Sequence, residues 1–151
     1  SLIRIVIAII VSSLLLTPFI RSYSIEKLAN SHKKELCSSK AITKIIVSPD
    51  EWQPSKGKDL YPRYEILSSK ESRSQIAGNL YEYRIITHQK YYVWEEQKRL
   101  VDEATGRLLM YTVAYHASRI SHPYGCGGNE KYLKNLPLYQ NKVWDLSESE
   151  H

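Results

Sequence analysis

Residues 5–20, IVIAIIVSSLLLTPFI, are sixteen consecutive uncharged side chains between Arg4 and Arg21. Folded as a helix they extend about 24 Å, against about 30 Å for the hydrocarbon core of a bilayer. Counting from Ser1 gives twenty residues, enough to span once Arg4 snorkels its guanidinium to the headgroups. A chain of 151 residues makes one small domain, and such a domain rarely hides a helix that is apolar on every side. The run therefore predicts a transmembrane anchor or signal-anchor over residues 1–21, with the lipid bilayer as its partner. A cleaved signal peptide is the competing fate, with a small-x-small site at Ser22-Tyr23-Ser24. Pro18, Phe19 and Arg21 make that site a poor one. The start at Ser1 reads as a native chain that has lost its initiator Met. A lipoprotein site at Cys37 is disfavoured by the charged Lys34-Glu35 pair before it.

The net charge is +5, but the basic residues are dispersed. The one tight cluster, Lys33-Lys34, is followed at once by Glu35. Nucleic-acid binders concentrate their cations on one face or arm, so no nucleic-acid partner is expected. Arg21, Lys27, Lys33 and Lys34 follow the apolar run, and the positive-inside rule read literally would hold the rest of the chain in the cytoplasm. That rule weakens for long translocated domains. The two cysteines, Cys37 and Cys126, can pair in an oxidising compartment, and on that ground the soluble part is read as extracytoplasmic, periplasmic or at the cell surface.

Past the anchor, Ile25, Leu28, His32 and Leu36 recur at spacings of three and four, which predicts a polar helix over 22–38 with one apolar stripe. The β-branched run 41–47 predicts a strand. Pro49, Pro54 and Gly57 mark a loop over 48–59. A strand over 61–67 would lie at an edge because of Pro62. Alternation over 80–88 places Tyr81, Tyr83 and Ile85 on one face and Glu82 and Arg84 on the other. Strands are expected over 91–101 and 107–118, with Leu109, Tyr111, Val113 and Tyr115 sharing a face. Asp102-Glu103-Ala104-Thr105-Gly106 forms the hairpin turn, Gly106 supplying positive φ. Residues 94–104 also suit a short helix, since Glu95 precedes Arg99 by four; the turn that follows favours strand. Residues 122–128, HPYGCGG, read as irregular. No element is assigned over 129–145, and 146–151 reads as a frayed acidic tail. The fold class expected is α+β: an N-terminal transmembrane helix continuing into a polar helix, packed on an antiparallel meander sheet of about four strands, with residues 22–145 as the domain.

Chemistry-bearing motifs are sparse. There is no GxxxxGK, GxGxxG, HExxH or GxSxG, and no cofactor is expected. His116, His122 and Cys126 are too loosely spaced, and lack a fourth ligand, for a metal site. A Cys126–His122 nucleophile pair would make a thiol enzyme, but a Cys37–Cys126 disulfide would leave no thiolate. Adjacent Glu95 and Glu96 point to opposite faces of a strand and cannot work as paired acid and base; they read as an exposed charged edge. No catalytic set emerges, and the chain is expected not to be an enzyme.

Twelve Tyr and three Trp stand against one Phe, a bias typical of binding surfaces. Most of these aromatics should line the core beneath the helix. One helix cannot cover both faces of a sheet, so an open aromatic face carrying Tyr81, Tyr83, Tyr92, Trp94, Tyr111 and Tyr115 is the candidate partner site. The opening SLIRIVIAII resembles the hydrophobic start of type IV pilins and pseudopilins. So does the layout of apolar helix, polar continuation, antiparallel sheet and C-terminal loop held by a disulfide. Arg4 stands where that family carries a Glu, and Pro18 lies only roughly at the position of its helix kink. The resemblance implies a subunit assembling through its N-terminal helix. The residues themselves point first to a membrane-anchored, non-catalytic head that binds a protein or envelope partner.

Overall fold

The computed structural model describes residues 2–54, 63–117, 126 and 128–149. α1 (Leu2–Ser39) is a single helix of 38 residues, about 57 Å long. It runs unbroken through Pro18, whose missing N–H deletes one backbone bond, while Thr17 Oγ1 donates to the Ser13 carbonyl at 2.6 Å. The large apolar side chains from Leu2 to Ile20 are 47–81% exposed, and α1 is long and apolar enough to cross a bilayer. Its end is secured by Lys40 and Ala41, whose amides donate to the Leu36 carbonyl, and by Ser38 and Ser39, whose hydroxyls donate to that of Glu35.

Six strands follow: β1 (Ile42–Ile45), β2 (Tyr64–Ile66), β3 (Glu71–Ala77), β4 (Leu80–His88), β5 (Val93–Asp102) and β6 (Arg107–Ala117). They form one antiparallel sheet in the order β1-β6-β5-β4-β3-β2. The α+β class and the meander stand, but the count of about four falls short by two. β3 was not foreseen because ESRSQIA is polar throughout most of its length and shows little alternation. Residues 94–102 are strand, paired on both sides. β5 starts at Val93 rather than at residue 91, because Tyr91 and Tyr92 adopt positive φ and form the turn. β2 is an edge strand as expected; residues 61 and 62 lie outside the described residues.

α2 (Gly128–Glu148) is the element missing from the sequence reading. Tyr132, Leu136, Tyr139 and Val143, at spacings of four, three and four, form its inward stripe. Pro137, in the middle of the pattern, disguises it. Residues 146–148, expected in a frayed tail, are the last turn of this helix.

α2 covers one face of the sheet. Tyr132, Tyr139 and Val143 pack with Leu80, Leu100, Leu109, Met110, Ala77, Val47 and Trp52. Each large apolar side chain buried there contributes about 1.5–3 kcal/mol. Polar bonds fix the helix position. Tyr139 Oη donates to the Val47 carbonyl, and Lys142 Nζ to those of Asp50 and Trp52 at 3.1 and 2.9 Å. Buried Trp52 donates its Nε1–H to Asp102 at 3.1 Å. Gly78 turns from β3 to β4 with φ +50°, and a Cβ there would lie 2.9 Å from Val143 Cγ1, so both the turn and the helix approach require glycine. Leu109 leaves the face expected for it. A bulge opposite Leu100 and Val101 turns it into the α2 core.

α1 lies on the opposite face, at one corner only. Ala29 and Leu36 pack with Val93 and Tyr115, flanked by Ala41, Val113 and Ala117. The stripe is Ile25, Ala29, His32 and Leu36; Leu28, expected within it, is half exposed. Cys37 and Cys126 form the disulfide, their Cα atoms 5.4 Å apart, stapling this corner to the chain just ahead of α2. It closes a loop of 89 residues, for which the chain-entropy relation gives about 4.6 kcal/mol. Replacing both cysteines by serine should lower unfolding stability in detergent by about that amount. A loss below about 1 kcal/mol in chemical denaturation would show the staple to be redundant with the Ala29–Leu36 packing.

Candidate functional site

The six aromatic residues read as one face are dispersed by the fold. Tyr81 pairs with Val101 and Tyr83 with Arg99, which in turn pairs with Tyr111. These three tyrosines therefore share the face on which α1 lies, and all are partly buried. Tyr115 shares that face but is 2% exposed, under α1. Trp94 is on the α2 face, stacked on His116 with ring centroids 5.9 Å apart. Tyr92 belongs to the β4–β5 turn. Three of the six, Tyr81, Tyr83 and Tyr111, make a contiguous patch, and among the described residues the helix on that face packs against β6 and β5 rather than over β3 and β4.

Charged groups set Tyr81 and Tyr83 in place. The Arg73 guanidinium lies 3.8 Å from the centre of the Tyr81 ring, a cation–π contact. Its Nε and Nη2 donate to the two oxygens of Glu103, and its Nη1 donates to Glu65 at 3.0 Å. Glu103 also accepts the Tyr83 hydroxyl at 2.6 Å. The Arg73 bonds hold Glu103 below the ordinary carboxylate range, and the bond to Glu103 raises Tyr83 above the ordinary phenol range. Arg99 lies 5.8 Å from the Tyr83 ring and donates to Glu71 at 3.4 Å. The result is a preorganised surface of phenol faces and guanidinium planes. Arg73, Arg99, Glu71 and Glu103 were not singled out from sequence, since their grouping depends on the register of β3, β4 and β5.

The second cluster lies on the α2 face. Glu96, expected as an exposed edge charge, is 3% exposed in a central strand. Its Oε1 accepts from Arg84 Nε and lies 3.8 Å from Lys98 Nζ. Its Oε2 is 2.9 Å from His116 Nε2. An ionised carboxylate only accepts, so the His116 hydrogen resides on Nε2. Burial works against the charge on Glu96, but the His116 bond and the Lys98 and Arg84 charges outweigh it and hold the pKa at about 2. Glu95, as expected, faces the other way and accepts the Tyr115 hydroxyl at 2.9 Å. Tyr132 donates to Glu82 at 2.8 Å; burial, then the Glu82 charge, raises its pKa.

Cys126 is bonded to Cys37 and in this form carries no thiolate. His116 serves Glu96, and His122 lies outside the described residues. Among the described residues no three His, Cys, Asp or Glu side chains are grouped to hold a metal ion. No protein-family model, curated protein or solved structure matches the chain.

The Glu96 cluster sets the acid side of the stability profile. Its pKa lies below the usual 4.5, so its stabilisation is complete above pH 4.5 and is lost as pH falls towards 2. Glu96→Gln should flatten the pH dependence in that window and cost about 1–2 kcal/mol at neutral pH, because the half-exposed Arg84 and the partly buried Lys98 and His116 lose the carboxylate they share while water still reaches them. Denaturant titrations of both proteins between pH 2 and 7 measure it. An unchanged slope in the variant would assign the acid transition to other carboxylates.

Proposed function

We propose that the chain is a single-pass membrane protein whose residues 22–149 form an extracytoplasmic head with a binding or structural role at the cell envelope. The observation that carries this reading is the continuity of α1. One unbroken helix passes from a half with exposed apolar side chains to a half that packs on one corner of a folded head. Water cannot accommodate the first half, and lipid can. The Cys37–Cys126 bond supports an oxidising compartment for the head. The partner surface in this reading is the Tyr81–Tyr83–Tyr111 patch with Arg73 and Arg99. These are residue types that carry much of the energy at protein interfaces, and Arg73, Tyr81 and Tyr83 are already held by their contacts with one another and with Glu103, which lowers the entropic cost of binding. The role is non-catalytic.

A second reading, a pilin-like subunit, draws on the protruding apolar half of α1 combined with a disulfide-held sheet. α2 on the far face of the sheet is an addition to the layout the first reading shares with it.

Alkylation of intact cells tests compartment and pairing together. Cys37 and Cys126 should resist a thiol reagent until a reductant is added; modification without reductant would place the head in a reducing compartment. Deleting residues 1–21 should release a folded, soluble head from the membrane fraction; aggregation of the truncated chain would make the segment part of the core. In detergent the full chain should remain monomeric under the first reading, while helix-mediated oligomers would favour the second.

A further inference from the structure

We propose that the tip of the β4–β5 hairpin, Lys90-Tyr91-Tyr92, is a second membrane contact, seated in an anionic headgroup layer beside α1. The proposal rests on α1 being the anchor. Its starting point is the course of the strands. At Ala41 the chain leaves α1 and enters β1, where Ile42 pairs with Val113. Moving back along α1, Leu36 and Ala29 share a cluster with Tyr115 and Val93, Val93 pairs with Ala117, and His32 meets Tyr91 just beyond Val93. The β5–β6 end that carries this tip is therefore the end facing the apolar half of α1. The turns at Gly78 and Gly106 lie at the other end of their strands.

The tip is held against the helix there. The Tyr91 ring meets His32 edge-on with centroids 5.6 Å apart. Tyr91 and Tyr92 have φ of 57° and 61°, and the Val93 amide closes the turn on the Lys90 carbonyl at 3.2 Å. Two central residues with positive φ are the conformation that Asn-Gly adopts without strain. Non-glycine residues in it cost about 1–2 kcal/mol each. The two residues accepting that cost are aromatic, and their side chains remain 48% and 52% exposed. About half of each residue therefore faces solvent, and tyrosine is the residue type that favours the boundary between lipid and water.

Height along the helix is compatible. From Arg21, where the apolar run ends, to His32 the helix rises about 16 Å, and the headgroup layer adds about 5–7 Å beyond the hydrocarbon. The average tilt of a membrane helix, about 20°, directed towards the head, together with the reach of the Tyr92 phenol, closes most of the remaining gap, while the Tyr91 ring stays at the height of His32. Charge is complementary as well. Arg21, Lys27, Lys33 and Lys34 on α1 and Lys90 on the tip outnumber Glu26, Glu35 and Glu95 in this region, which favours an anionic leaflet. Exposed Tyr23 and Leu28 on α1 extend the same interfacial band.

The test uses the full chain, disulfide intact, in vesicles of phosphatidylcholine with phosphatidylglycerol and of phosphatidylcholine alone. A nitroxide is placed through Tyr91→Cys or Tyr92→Cys, with Leu14→Cys in the apolar run and Thr105→Cys in the β5–β6 turn as references. Collision with a neutral nickel chelate reads depth. Labels at 91 and 92 should be shielded several-fold relative to 105, more so with phosphatidylglycerol present, and the label at 14 fully shielded. Labels at 91 and 92 as accessible as that at 105, with 14 shielded, would overturn the tip contact and leave the anchor standing. An accessible label at 14 would overturn both. Shielding at 91 and 92 that vanishes when the protein is diluted in lipid would assign the tip to a contact between copies and overturn the lipid assignment.

Discussion

Ala29 and Leu36 press one face of α1 onto Val93 and Tyr115, and the Cys37–Cys126 bond closes over that contact. Because α1 has no break between its apolar and covered halves, this small interface determines how the head sits relative to whatever the first half of the helix occupies. A flexible linker at residues 22–28 would uncouple the two. The small side chain of Ala29 allows helix and sheet to approach closely, and the covalent bond fixes the registry that so few apolar contacts would hold only weakly.

The sheet is then asymmetric by construction. α2 supplies the large core, with Tyr132 and Tyr139 filling it and their hydroxyls bonded to Glu82 and Val47. α1 covers one corner of the other face and leaves the remainder to side chains that must serve as their own cover. Arg73 and Arg99 do so by lying over tyrosine rings while their charges are met by Glu65, Glu103 and Glu71. A surface made this way is stable in water, because its planar groups are met by ion pairs.

Legibility from sequence followed the range of the forces involved. The central strands were readable because the 80–88 alternation and the Gly106 turn are local signals. Strand β3 and helix α2 were not. β3 is polar and is held by neighbours on both sides, while the inward stripe of α2 is interrupted by Pro137. The aromatic candidates were found by composition, yet only Tyr81, Tyr83 and Tyr111 form a patch. A one-residue change of parity sends Trp94 to the other face, the helix buries Tyr115, and a positive-φ turn removes Tyr92.

Taken alone, the order of residues determined the long apolar helix, the α+β class and the availability of two cysteines, since these depend on the character of contiguous side chains or on simple counting. The tertiary structure decided which charges are buried, which tyrosines meet and which end of the sheet faces the apolar helix. Glu96 is buried and ionised only because Arg84, Lys98 and His116 arrive from the same and neighbouring strands. Such groupings are set by strand register across tens of residues, and no local pattern encodes them.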